Sequence, residues 1–314
     1  MHKKIFVFLI TILITACSNP SVSAEAVASE AENKNAKTNE QAENEVATSA
    51  QAASAQLEIP ETTPGCAFTP TTDLRMPPEQ WQNWPIIPEA TNRTKEIYQS
   101  GFESGVNPNA FSKIGDCQNV KESFMGIYDL NRYFLQDWQQ DWQDSIDNFQ
   151  GYFYRDGKAF GQGLNVAAAL SPLHADPESC QPDESPLKCE LRLANPSFAF
   201  IRFERWWEET PPDVYENYLR KILDEVIAYG TVPILMTKAD NIEGNHQINM
   251  IIAKLAYEYD IPLYNWWRAA QSLPNNGLDP ELNDGFHLDP QYAWTEQSIY
   301  ALGTLDSVWK GSRE

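Results

Sequence analysis

Three short apolar runs, Phe198–Phe203, Val232–Met236 and Pro262–Trp266, are separated by two stretches with helical apolar spacing, and this alternation leaves the chain few folds. In residues 213–229, Val214, Tyr218, Ile222 and Val226 form one i, i+4 row, and Tyr215, Leu219, Leu223 and Ile227 form the adjacent row. Two adjacent rows make a broad apolar stripe, as expected of a helix lying on a sheet. Gly230 stands where a C-terminal cap belongs. Residues 246–259 repeat the pattern with Ile248, Ile251, Ile252, Leu255 and Tyr259, and Ala110–Ile114 adds an earlier strand. Strands joined through helices require crossovers, which are right-handed, and so a parallel sheet. The chain is therefore expected to form a three-layer α/β domain without internal repeats. A helix is also predicted over residues 129–149, with Trp138 and Trp142 on one side, and a final one over about 292–309. In such a sheet ligands bind at the carboxyl ends of the strands. That points to Gly115-Asp116-Cys117, to Gly161-Gln162-Gly163, to the segment after Phe203 and to the loop before the last helix.

The domain is preceded by two segments of different character. Lys3 and Lys4 are followed by an apolar run, Ile5 to Ile14, broken only by Thr11. Ten helical residues reach about 15 Å, half the thickness of a bilayer core, so the run reads as a secretion signal over residues 1–16 and not as a membrane span. It ends in Ile14-Thr15-Ala16-Cys17, which resembles the lipobox of bacterial lipoproteins. The resemblance implies acylation of Cys17 and a mature chain beginning there, anchored to the outside of a membrane by its lipid alone. Residues 17–60 lack any aromatic residue and are rich in Ala, Glu, Asn, Ser and Thr. Such a stretch buries too little apolar surface to offset its ordering entropy and is expected to be a tether, spanning about 35 Å as a flexible coil. Residues 61–314, which hold all 10 Trp, suffice for one large core. Within them, residues 61–95 are Pro-rich and irregular, with Trp81 and Trp84 as anchors.

A net charge of −21 argues against nucleic acid or anionic lipid as a ligand. With Cys17 taken by lipid, Cys66, Cys117, Cys180 and Cys189 face an oxidising compartment. Cys180 and Cys189 flank a polar, Pro-containing loop and are expected to form a local disulfide. The His residues are scattered without ligand spacing, so neither a metal nor a cofactor is expected. A monomer is expected.

The last loop reads Asn283-Asp284-Gly285-Phe286-His287-Leu288. An Asp three residues before a His can accept from one ring nitrogen and leave the other for a substrate, fixing the tautomer and supporting the imidazolium. Together with Phe111-Ser112-Lys113-Ile114-Gly115-Asp116-Cys117, a strand leading into a turn, this resembles the SGNH/GDSL hydrolases. In that family Gly-Asp-Ser carries the nucleophile after the first strand and Asp-x-x-His closes the domain. The resemblance spans roughly residues 105–310. It implies a flavodoxin-like fold and acyl-ester hydrolysis, with O-acyl groups on glycans as candidate substrates. Cys117 would be the nucleophile, His287 the general base and Asp284 its orienter. The backbone N–H of Cys117 and the Gly161–Gly163 region would form the oxyanion hole. The chain departs from the family twice. Cys117 replaces Ser, and Phe203-Glu204-Arg205-Trp206-Trp207 has no Asn where the family supplies an oxyanion donor. Arg205 is the candidate substitute; Gly161 or Gly163 stands for the family's second-block glycine, and Asn165 is a spare polar candidate.

Two readings remain open at each of these positions. Cys117 is either a nucleophile or bonded to Cys66, and Asp284 with His287 is either catalytic or a structural pair on a silent fold. The silent case would make the domain a binding module for an envelope polysaccharide or protein. Trp206, Trp207, Trp266 and Trp267 either stack on sugar rings or fill the core. Glu204, Glu208 and Glu209 read as a solvated acidic loop.

Overall fold

The chain divides into two units, Met1–Phe68 and Thr69–Glu314. This computed structural model describes residues 76–203, 211–282 and 284–314, all within the second unit. The expected signal and tether, Cys17, Cys66, and Glu204, Arg205, Trp206, Trp207, Glu208 and Glu209 lie outside the described residues.

Four parallel strands form the sheet in the order β1 (Asn107–Gly115), β2 (Pro196–Arg202), β3 (Val232–Met236) and β4 (Leu263–Tyr264). Gly115 uses both its backbone groups on a further segment, donating to the carbonyl of Ala159 (2.9 Å) and accepting from the N–H of Gly161 (3.3 Å). A parallel bridge to Phe160 therefore flanks β1 on the side away from β2. Counted in chain order with that bridge as the second strand, the sheet runs 2-1-3-4-5, the flavodoxin-like arrangement, with its switch point at β1.

Side-chain alternation along β1 shows three layers. Successive strand residues face opposite sides of a sheet. Ser112 bonds Glu190 of helix α3 (Pro186–Ala194) at 2.6 Å, whereas its neighbour Phe111 packs edge-on against Phe149, just beyond α2 (Gln143–Asn148). On the first face α3 is followed by α4 (Pro212–Tyr229), which packs in turn on α5 (Gln247–Glu258). On the other, α1 (Asn92–Glu103), α2 and α6 (Trp266–Ala270) surround α7 (Ala293–Ser312). The apolar rows read from the sequence are the buried faces: Tyr215, Leu219, Ile222, Leu223 and Val226 of α4 are all buried. Burying side chains of this size contributes about 1.5–3 kcal/mol each. Gly230 ends α4 in the left-handed region (φ 90°), where the cap was expected.

Several expected elements come out differently. The predicted helix over 129–149 does not form as one unit. A 3-10 turn over Asp137–Trp142 starts on a capping box in which the Gln139 side chain accepts from the N–H of Gln136, and only Gln143–Asn148 is α-helical. The strand expected over Pro262–Trp266 stops at Tyr264, because Asn265 turns the chain and its Oδ1 caps α6 at the N–H of Arg268 (3.3 Å). Trp266 and Trp267 are thus helical. Trp266 is fully buried, which removes it from the sugar-stacking reading, and Trp267 packs edge-on against the buried Trp81 (5.0 Å). The Pro-rich opening gives way to α1 at Asn92, capped by the Thr91 hydroxyl (Thr94 N–H at 3.1 Å). Trp81 and Trp84 are buried there, as anchors should be.

Candidate active site

The carboxyl end of β1 is shaped by contacts that only glycine permits. A Cβ at Gly115 would lie 1.8 Å from the Arg202 carbonyl oxygen and 2.1 Å from Nδ2 of Asn119. That space is taken because Asn119, fully buried, donates from Nδ2 to the Arg202 carbonyl (3.0 Å) and fastens the turn to the end of β2. Asp116 opens the turn by accepting the N–H of Gln118 on its carboxylate (3.1 Å). Between these two fastenings Cys117 begins a single 3-10 turn, half-buried. The sequence Gly-Asp-Cys-Gln-Asn is therefore a local design that holds one side chain at the switch point of the sheet.

The last loop brings its partner. Sγ of Cys117 lies 3.7 Å from Nε2 of His287, 170 residues away in the chain. Nδ1 of His287 is hydrogen-bonded to Oδ2 of Asp284. With the Nδ1 proton directed to that carboxylate, Nε2 is left as the acceptor facing sulfur. The other carboxylate oxygen, Oδ1, accepts the N–H groups of Phe286 and His287, both at 3.1 Å. Asp284 therefore shapes the loop and orients the ring at once. Gly285 adopts φ +79°, a left-handed conformation that lets the loop double back between them. Partial burial pushes the Asp284 carboxyl up, but the bonds from His287 and from the two backbone N–H groups outweigh it and hold the group below the usual carboxylate range. It is thus an anion beside His287 at neutral pH.

The remaining site candidates divide. Gly161 is bonded to Gly115 and leads into Gly163 and Leu164, so this region borders the cysteine turn. Asn165 spends Oδ1 on the N–H groups of Ala167 (3.0 Å) and Ala168 (2.9 Å), which caps the following turn. Arg205 and Cys66 lie outside the described residues. Gln118, absent from the sequence reading, proves to be a site residue: its Nε2 donates to the carbonyl of Phe286 at 3.2 Å. A lone glutamine carries no spacing signal, so only the fold reveals it. The groove lined by Lys95, Phe102, Asn109 and Trp309 opens at the amino end of β1 and belongs to the opposite side of the sheet from this chemistry.

Cys180 and Cys189 form a disulfide, with Cα atoms 5.2 Å apart. It ties the loop to the fully buried Cys189 of α3 and plays no part in the cysteine–histidine contact.

No family model matches the sequence, and no curated protein is similar to it in sequence. Solved structures are similar at low identity. One is a putative GDSL-like lipase from Parabacteroides merdae, at 12% identity and a TM-score of 0.41, covering 64% of this chain and 96% of that one. Another is a GDSL-like lipase from Bacteroides thetaiotaomicron, at 12% identity and a TM-score of 0.36, covering 66% of this chain and 95% of that one.

Proposed function

We propose that the domain hydrolyses acyl esters through a Cys117–His287–Asp284 triad. The observation that supports this reading is the continuous relay from Sγ to Nε2 (3.7 Å) and from Nδ1 to the Asp284 carboxylate, at the switch point of a parallel sheet. Three residues in one loop could meet by local geometry alone. A thiol brought from a different strand end to the one open nitrogen of an oriented imidazole is the arrangement nucleophilic catalysis requires.

In this mechanism Nε2 of His287 takes the thiol proton as sulfur attacks the ester carbonyl. The N–H of Cys117 and the backbone at Gly163 stabilise the oxyanion, with Arg205 as the candidate side-chain donor. Collapse of the tetrahedral intermediate breaks the carbon–oxygen bond, and the imidazolium returns its proton to the leaving alcohol. Water, deprotonated by the same nitrogen, then attacks the thioester, releasing the acid and restoring the thiol. Asp284 remains ionised throughout and supports the positive ring. The substrate would be a small-molecule or glycan ester outside the cytoplasm, reached by a monomeric domain on a lipid-anchored tether. Turnover of an aryl acetate tests the reading. Cys117→Ala should abolish it, His287→Ala should lower kcat by about 10³-fold or more, and Asp284→Asn by about 10²- to 10⁴-fold with KM little changed. Hydrolysis that survives Cys117→Ala would contradict the reading. Absence of ester turnover in the parent and in Cys117→Ser would instead favour the binding-module reading on the same fold.

A further inference from the structure

Gln118 follows the nucleophile and has no chemical part in the steps above, yet it is almost wholly buried (3% exposed) and three of its polar groups are engaged. Its N–H donates to Asp116 Oδ1, its carbonyl accepts from the guanidinium of the buried Arg202, and its side-chain Nε2 donates to the carbonyl of Phe286. The first two bonds fix the residue to the end of the sheet. The third reaches the residue immediately before His287.

Among the described residues, further backbone bonds of the loop carrying His287 run to a different segment. His287 accepts at its carbonyl from the N–H of Asp279 (2.8 Å), Leu288 bridges Leu278, and Asp289 donates to the carbonyl of Gly277 (2.9 Å). These bonds set the loop against residues 277–279, not against β1. The separation of sulfur and imidazole needs a link between the two loops, and the Gln118 amide forms one, a single residue from each partner.

We propose that Gln118 is a positioning residue: its amide, donating to the Phe286 carbonyl, sets the distance between the Cys117 thiol and His287. The proposal rests on the catalytic reading. A donor is needed at this place, because the group faced is a carbonyl oxygen. Gln118→Met keeps the length and loses the donor, and Gln118→Glu keeps the shape and presents an anion to the carbonyl. Catalytic groups displaced by about 1 Å lose on the order of 10²-fold in rate.

The test follows alkylation of Cys117 by iodoacetamide across pH, together with aryl-acetate kinetics, in the full chain. Both variants should lower kcat about 10- to 100-fold with KM within about twofold. Alkylation at pH 7 should slow in both. Adding His287→Ala to Gln118→Met should slow it no further than His287→Ala does alone. A purely structural glutamine would not erase that dependence on His287. Alkylation by both variants at the parent rate, with the parent pH profile, would overturn the inference alone. A parent protein whose alkylation is indifferent to His287→Ala would overturn both the inference and the catalytic reading. Loss of the near-UV circular dichroism signal in both variants would place Gln118 among the residues needed for folding and would also overturn the inference.

Discussion

Lys113 shows how far one buried side chain departs from its behaviour in water. It points from β1 into the layer of α2 and α7, where its ammonium donates to the carbonyls of Phe124 (3.2 Å) and Phe153 (3.0 Å) and lies over the Phe160 ring. Burial, aided by the Arg155 cation nearby, lowers its pKa to about 7, against weaker opposing pulls from Glu122, Glu190 and Asp129. An unfolded lysine keeps its proton to about pH 10.4. Between pH 7 and about 10 the unfolded state therefore binds more protons, and this residue's contribution to stability rises with pH. Below pH 7 both states hold the proton and the cost of the buried charge is fully present. Unfolding free energies from urea titrations of the parent and of Lys113→Met, compared from pH 6 to pH 9.5, should diverge in slope by up to about 1.4 kcal/mol per pH unit. Parallel curves would show that the ammonium is not held as described. In the sequence Lys113 is a single cation within the strand Ala110–Ile114, with no spacing signal of its own. The residues of the proposed triad were more legible, because Asp-x-x-His is a local spacing and Gly-Asp-Cys a local turn. Gln118 was not legible, since its partner lies 168 residues away.

At the scale of elements, legibility followed the width of the apolar stripe. Helix α4 carries two adjacent apolar rows and was read to within a residue, and β3 was read with its observed ends. The stretch around Trp138 and Trp142 carries one i, i+4 aromatic pair, which does meet edge-on at 5.2 Å. One pair does not make a stripe, and the left-handed Asn131 breaks any helix begun before it. Helix α3 was missed within a segment read as loop, although Ser185 and Pro186 form a ready cap and first turn. Its anchorage is dense: buried Glu190 accepts from Ser112, from the Lys158 N–H and from Arg155, and Cys189 closes the disulfide. A loop of this length should be worth about 2–3 kcal/mol. The double change Cys180→Ala, Cys189→Ala should lower the thermal midpoint by several degrees and leave ester turnover nearly intact, because the loop does not touch the relay. Loss of turnover without loss of stability would mean that the loop takes part in the site.

For the whole molecule, the placement of chemistry follows from topology. Chain order puts the bridge at Phe160 on one side of β1 and β2 on the other, so the end of β1 is flanked by the Gly161–Gly163 region and, through Gln118, meets the last loop. Fold class was accessible to sequence reasoning because alternating strands and helices admit few sheets, whereas the site needed loops that meet only in three dimensions. Among the described residues no helix is long and apolar enough to cross a membrane, and we propose anchoring through lipid on Cys17. Cys17→Ala should move the protein from the detergent phase to the aqueous phase on Triton X-114 partition. An unchanged detergent-phase fraction would contradict the anchor.

The central claim is that Cys117 attacks an ester carbonyl, and its most direct measurement is mass spectrometry of the protein quenched in acid during turnover of an aryl acetate. The account predicts an acetyl group on the peptide containing Cys117 as a thioester, enriched when deacylation is slow and strongly reduced in His287→Ala. Recovery of that peptide unacylated and disulfide-linked to Cys66, while no other residue carries acetyl, would contradict it.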